Sequence, residues 1–382
     1  MIYYTHISIK KMKYLMSFHN NQGMENITPI AESLSRDGES DVTLLDLRSL
    51  YAQSSSELKV SKNISIFKEK SIFKNTRKLN KLSKLVFLFT KAFTIRNYGD
   101  KYDIYIFSPG GFYEGLIAKK FSNKNKNTYF IEAGVKIYLY LDSQKDLEPK
   151  SNFLKNISGY FTTGESPKNK LKNFVNQKNI IHNFGVPRYS EIISKHKSSK
   201  PRKTQSIRNL LYLTSAASYH NIDWEDSWQA KTISEIVNSV ITEKYIFNIK
   251  VHPRDDVDKY KQYEGVKNVN VLYETDIEVD IKNNDCIISG PSSSIHEVSF
   301  LGKIYTILWP FDNYQNDYLN GESLVKNIED LNCRISNLDN DFTFQNNLFS
   351  NQLSEAQKFI NIDSDSSTKN IIQHIINENR ER

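Results

Sequence analysis

Cysteine is nearly missing from this chain. Cys286 and Cys333 are the two among 382 residues, and neither belongs to a C-x-x-C pair. That excludes a disulfide-stapled scaffold and a cysteine-built structural zinc site; Cys286, inside an apolar run, reads as a small core residue. Long apolar runs are missing too. The opening "MIYYTHISIKKMKYLMSF" is interrupted by Lys10, Lys11 and Lys13, so no signal peptide is expected. No run approaches the roughly 20 residues of a membrane span. The expected location is cytoplasmic, with peripheral attachment to the inner face of the cell membrane left open. Acids are scarce between Lys59 and Arg96, where Glu69 stands alone against eleven Lys or Arg. Such a stripe reads either as a contact for an anionic partner or as a solvated, lysine-rich helix face. It carries no recognised nucleic-acid-reading motif, so no nucleic acid partner is expected. There is no internal repeat of fixed period.

What is present is the material of two globular domains. The length exceeds one small core. Hydrophobic residues make up 38% and charged residues 25%, the net charge is +7, and 22 Tyr with 21 Phe supply aromatic volume for real cores. Apolar runs at 13–18, 41–47, 102–108 and 127–131 alternate with helical or polar stretches, the signature of a parallel α/β sheet. Residues 58–97 read as a basic helical region. After the polar stretch "SKHKSSKPRKTQS" a second alternation begins at "NLLYLTSAASYHN", 209–221, with strands at 245–251, 269–273, 285–289 and 303–309 and helices over about 225–243 and 294–301. The expected division is an N-terminal Rossmann-like domain at 1–190, a linker at 191–208, a C-terminal Rossmann-like domain at 209–345 and a helical tail at 346–382.

Ligands of open parallel sheets bind beyond the carboxyl ends of the strands, so the residues there are the candidates. "KVHPRDD" places His252 at such an end, with Pro253 biasing it away from helix. Its imidazole can donate to a phosphate or move a proton near neutral pH, and Lys250 and Arg254 add positive charge. "SGPSSSIHE" puts Ser292, Ser293 and Ser294 between a strand and a helix start, where hydroxyls cap the helix or bind an anion. Glu297 either accepts from ribose hydroxyls or complements the helix N-terminus. "TSAASYHN" offers Ser215 and Ser218 for the donor side, and "SFHNNQGMEN" offers His19, Asn20 and Glu25 for an acceptor. No D-x-D stands at a strand end. Asp339-Asn-Asp341 and Asp363-Ser-Asp365 fall in polar stretches that read as loops, and no metal site is expected.

"KVHPRD" followed by "DCIISGPSSSIHEVSFLGK" resembles the HP and serine motifs of bacterial sialyltransferases and polysialyltransferases of the GT-B fold. It is similar, more loosely, to capsule and teichoic-acid polymer transferases. The resemblance implies an α/β GT-B architecture, two Rossmann-like domains facing a central cleft. It implies an inverting, metal-independent glycosyltransferase of capsule, O-antigen or lipooligosaccharide synthesis. A nucleotide sugar serves as substrate, CMP-activated acidic sugars among the candidates, and no cofactor. An acidic-acidic-Gly motif supplies the base in the sialyltransferases; Glu132-Ala133-Gly134 stands in its place, with Ala133 where the second acid would be. "FGVPRY", 184–189, resembles the segment that closes the N-domain in related transferases. By the same resemblance Glu132 deprotonates the acceptor, His252 meets the leaving phosphate, and Ser292 to Ser294 hold that phosphate or the donor carboxylate. The acceptor is a glycan or lipid-linked glycan. Two alternatives stay open. A CDP-polyol phosphotransferase of the teichoic-acid type usually carries Asp-Tyr before the serine pair and a His-Gly motif; here Gly290-Pro291 stands in the first place and no His-Gly occurs. A non-catalytic glycan-binding protein on the same scaffold is supported by Ala133.

Overall fold

The computed structural model describes residues 11–36, 38–51, 57–69, 81–135, 155–172, 180–196, 206–215, 227–292, 294–311 and 321–380. The chain divides into two compact units. Unit 1 takes its described residues from the chain up to Val135, from 155–191 and from Asn361 onward; unit 2 takes the described residues from Ile192 to Ile360.

Unit 1 holds a seven-stranded sheet in the order β3-β2-β1-β4-β5-β6-β7, parallel throughout. Its strands are β1 (Met12–Phe18), β2 (Ser40–Asp46), β3 (Ser65–Lys68), β4 (Ile104–Phe107), β5 (Thr128–Ile131), β6 (Gly159–Phe161) and β7 (Ile181–His182). Central strands of such a sheet are covered on both faces, so they read as unbroken apolar runs rather than alternating ones. β1, β4 and β5 do so: Leu15, Met16, Ile104, Ile106 and Ile131 are fully buried, each contributing about 1.5–3 kcal/mol. Helices α1 (Asn21–Arg36), α2 (Lys81–Lys101), α3 (Phe112–Ser122) and α4 (Glu165–Lys172) follow strands, and α5 (Ser190–His196) leads out of the unit. Gly23 shows how tightly the first turn of α1 packs: a Cβ there would lie 1.9 Å from the Ser108 carbonyl oxygen.

Unit 2 holds a six-stranded sheet in the order β10-β9-β8-β11-β12-β13, again wholly parallel. Its strands are β8 (Asn209–Leu213), β9 (Ile246–Lys250), β10 (Val269–Leu272), β11 (Cys286–Ser289), β12 (Ile304–Leu308) and β13 (Leu324–Val325). The helices are α6 (Trp228–Val237), α7 (Val240–Lys244), α8 (Ile277–Asn283), α9 (Ile295–Phe300), α10 (Ile328–Asn340) and α11 (Phe342–Phe359); α12 (Ser367–Arg380) returns to unit 1. The core gathers Leu210, Phe247, Ile249 and Ile288 of the sheet with Ile233, Leu331 and Phe349 of the helices. Cys286 lies in it, its thiol pushed up to about 12 by burial.

Several expectations are corrected. The basic region 58–97 is not helical throughout: Ser65–Lys68 forms an exposed edge strand on β2. The helix expected over 225–243 breaks at Asn238-Ser239, because the Ser239 hydroxyl accepts from the Ile241 N–H and caps a second helix. Residues 346–382 do not form one tail. α11 contributes Leu348 and Phe349 to the core of unit 2, while α12 belongs to unit 1. Asp339 is not a loop residue, while Asp341 is the one non-helical residue between α10 and α11. Asp339 ends α10 and accepts from the Ile207 N–H at 3.0 Å, and Asp341 caps α11 through the Phe344 N–H. Among the described residues no group of three His, Cys, Asp or Glu is placed to hold a metal ion, and no helix is long and apolar enough to cross a membrane.

Candidate functional site

In unit 2 the loops that follow β8, β9 and β11 leave the same edge of the sheet. His252 is half-buried just past β9. Its backbone N–H donates to the Thr214 hydroxyl beyond β8 at 2.8 Å, and its Nδ1 accepts from the Arg254 N–H at 3.1 Å. An Nδ1 that accepts carries no proton, so the neutral ring holds its proton on Nε2 as a donor. Arg254 is exposed beside it. Lys250 differs from the expectation. Its ammonium is buried, bonded to the Thr275 hydroxyl at 2.6 Å and paired with Asp280 at 3.1 Å. It fastens β9 to the loop before α8 and adds no charge for a ligand.

Ser215 is held by Gln229, whose Oε1 accepts from the Ser215 N–H at 2.5 Å and from its hydroxyl at 3.0 Å. The Gln229 amide donates in turn to the Tyr260 hydroxyl at 2.8 Å, and that hydroxyl donates to Asp255 at 2.5 Å. Burial and the neighbouring Asp255 keep Tyr260 protonated, hence a donor. Gln229, Asp255 and Tyr260 thus brace the loops carrying Ser215 and His252. Sequence reading missed all three, since a lone Gln on a helix has no pattern to betray it; the repeated polar residues after "VHP" were the available signal.

Past β11, the Ser292 hydroxyl accepts from the Ser294 N–H at 3.3 Å, a turn-forming role. Ser294 precedes α9 without a side-chain capping bond, and Glu297 is half-buried in the first turn. Ser293 and Ser218 lie outside the described residues. α9 has six residues, so any charge attraction here comes from the side chains and loop N–H groups more than from a long helix dipole. His296 beside them is no proton carrier. It is fully buried, stacked 4.1 Å from Phe359, and burial lowers its pKa to about 3.

In unit 1 the polar groups also collect at strand ends. Glu132, immediately past β5, is fully buried; one carboxylate oxygen accepts from the Tyr160 hydroxyl at 3.0 Å and the other from the Thr163 N–H at 2.8 Å. The Ala133 carbonyl accepts from Arg188 at 3.0 Å, the Glu132 carbonyl accepts from Asn26 at 2.7 Å, and Asn26 accepts from the Arg188 N–H at 3.0 Å. "EAG" and "VPRY" therefore meet within one unit, joined through Asn26. His19, past β1, is 1% exposed, with Nδ1 2.5 Å from Glu114, whose other oxygen accepts from the Tyr51 hydroxyl at 2.5 Å. Asn20 caps α1 by accepting from the Gly23 N–H at 2.7 Å, and Glu25 pairs with Arg188 at 3.6 Å. The structure so brings Glu132 and Glu25 to the Arg188 cluster and gives His19 and Asn20 partners inside the protein.

Two Rossmann-type units with wholly parallel sheets define the class: the fold is of GT-B type. No protein-family model matches the sequence, and no curated protein is significantly similar to it. Solved structures are similar in fold. A UDP-N-acetylglucosamine 2-epimerase matches at TM-score 0.63 and 13% identity over 98% of this chain and 97% of its own. The UDP-GlcNAc 2-epimerase of Neisseria meningitidis bound to UDP-GlcNAc matches at 0.60 and 13%, over 96% of this chain and 100% of its own. The wall teichoic acid polymerase TagF, soaked with CDPG, matches at 0.59 and 10%, over 98% and 90%.

Proposed function

We propose that the chain is a glycosyltransferase of bacterial surface-polysaccharide synthesis that transfers a sugar from a nucleotide donor with inversion and without a bound metal. A CMP-activated acidic sugar is the donor. The observation that carries the reading is the strand-end position of His252 with its Nδ1 accepting from the Arg254 N–H, which puts the proton of the neutral ring on Nε2, the tautomer able to donate to a phosphate. Arg254, Ser215, Ser292, Ser293, Ser294 and Glu297 complete the donor side. The nucleotide ligands of structures with this fold support the same class.

In the reaction the acceptor hydroxyl attacks the anomeric carbon while the bond from that carbon to the phosphate oxygen breaks. The electron pair leaves with the phosphate, where His252 donates a hydrogen bond or proton, and the hydroxyl proton passes to Glu132. Both Glu132 oxygens now accept from the protein, so the base role requires the acceptor to replace one of those bonds. His19 and Asn20 are assigned to the acceptor side. Attachment to an anionic membrane through residues 59–96 belongs to the proposal as well. Lys74, Arg77 and Lys78 of that stripe lie outside the described residues, and Lys91 is paired with Glu69.

The test is thermal stability with CMP, CDP, UDP and GDP. A ligand at about 100 times its Kd stabilises by about 2.7 kcal/mol. CMP is expected to do so with wild type and to lose most of the effect with His252→Ala, whose transfer rate drops on the order of 100-fold or more. No shift with any nucleotide ends the reading. The likeness to the epimerases and to TagF favours two others. A shift with UDP and none with CMP, together with interconversion of a UDP-sugar in the absence of acceptor, moves the chain to epimerisation. A shift with CDP alone moves it to polyol-phosphate transfer.

A further inference from the structure

The carboxyl edge of the unit 2 sheet changes character along its length. Past β9 and β8 it is polar: His252, Thr214, Ser215 and Gln229. Past β11 it carries Ser292, and past β12 it is aromatic. Trp309 directly follows β12, Phe311 lies two residues on, and Trp228 opens α6. Trp228 and Trp309 pack edge to face with centroids 4.9 Å apart and 68° between planes; Trp309 and Phe311 do the same at 5.0 Å and 69°. Both indoles lie over the Gly290 backbone, where a Cβ would stand 3.0 Å from Trp228 and 3.8 Å from Trp309. Trp228 packs against the edge of the unit 2 core, and the cluster opens outward from it. Trp228 and Trp309 are half-buried and Phe311 is 48% exposed, at the end of a strand whose own residues are all buried.

Three aromatic rings pack at the mouth of the sheet, two of them over Gly290, which stands two positions before Ser292; an aromatic surface beside serine hydroxyls suits a ligand that is flat and carries an anionic group. Edge-to-face packing fixes the rings without stacking them on each other, which suits a planar guest. Stacking on aromatic side chains is tolerant of base identity because every base has a π-face.

We infer that Trp309 and Phe311, with Trp228 behind them, form the seat for the nucleobase of the donor, its phosphate lying toward Ser292 and His252. The inference rests on the nucleotide-donor reading above. It adds that affinity divides along the edge, ring recognition on the β12 side and phosphate recognition on the β9 side.

The test measures binding of CMP, cytidine and ribose 5-phosphate by wild type, Phe311→Ala, Trp309→Leu and His252→Ala, in a Trp224→Phe background so that the remaining indole fluorescence comes from Trp228 and Trp309. CMP and cytidine are expected to quench that fluorescence. Phe311→Ala and Trp309→Leu should weaken both by roughly tenfold or more, the loss expected when a stacking aromatic is removed, and leave ribose 5-phosphate unchanged. His252→Ala should weaken CMP and ribose 5-phosphate and spare cytidine. Phe311 is exposed enough that its variant folds even if the Trp309 variant does not. CMP bound with wild-type affinity by Phe311→Ala and any folded Trp309 variant overturns the nucleobase seat while leaving the nucleotide reading intact. So does unchanged CMP affinity with a raised KM for acceptor, which would make the cluster a sugar platform. Failure of wild type to bind any of the three probes removes both.

Discussion

Glu132 shows how one side chain can hold a structure together and still be asked to do chemistry. Its carboxylate accepts from the Tyr160 hydroxyl and the Thr163 N–H with no exposure to solvent. An amide can keep both bonds. Glutamine's oxygen accepts from Thr163, and its NH₂ donates to a Tyr160 hydroxyl that has turned to accept. Alanine leaves both partners buried and unmet, which costs about 1–3 kcal/mol for each group left unsatisfied. Glu132→Gln is therefore expected to melt close to wild type and Glu132→Ala to be clearly destabilised. Transfer should fail in both, because neither residue takes a proton from the acceptor. Melting curves and turnover on the two variants check this, and wild-type turnover by Glu132→Gln would sink the base role. The sequence marked His252 because it closes an apolar strand run, and Glu132 through the resemblance of "EAG" to an acidic motif. It could not mark Lys250 as spent on Asp280, because that partner is thirty residues away and reaches it only through the fold.

At the scale of elements, β7 and α12 are joined by a ring contact between two histidines. His182 and His374 lie 4.1 Å apart, packed with Phe161 and Phe184. Burial first, and the second imidazole next, lower the His182 pKa to about 4; Glu378, 3.4 Å from His374, works the other way, and Lys168 adds to the lowering. An unfolded histidine takes its proton near pH 6.5. Between that pH and about 4 the unfolded chain binds more protons than the folded one, so stability falls as the pH is lowered through this window. The element released first is expected to be α12, since one face of the contact is all that β7 offers it. Hydrogen exchange over 367–380, compared at pH 7 and pH 5, should show lost protection in wild type. His182→Phe, which keeps an aromatic ring beside Phe161 and Phe184, should show much less. Equal losses in both would assign the acid response to other groups, buried His296 first among them. The strands were legible from their apolar runs, and β1, β4, β5, β9, β11 and β12 fall where those runs stand. β3 was not, for it is a short exposed edge whose residues carry no periodic signal. Nor was the parting of α11 from α12, since both have amphipathic patterns and only packing decides which core each joins.

On the scale of the whole molecule, the two units have separate sheets, and every group assigned to the nucleotide lies in unit 2: His252, Arg254, Ser215, Ser292 to Ser294, Glu297, Trp228, Trp309 and Phe311. A ligand stabilises only what it binds in the folded state, by RT ln(1 + [L]/Kd). Saturation with CMP should thus deepen hydrogen-exchange protection in β8, β9, β11 and β12 of unit 2. In unit 1 the amides of β1, β4 and β5 are expected to change little. The effect should follow the phosphate and the base separately: ribose 5-phosphate protects the loops past β8 and β9, and cytidine protects the stretch from Trp309 to Phe311. Acceptor analogues should produce the complementary pattern, protecting the loops past β1 and β5 around Asn20 and Glu132. Protection by CMP centred on unit 1 would reverse the assignment of donor and acceptor sides. It would leave His252 as a structural strand-end residue tied to Thr214 and Arg254.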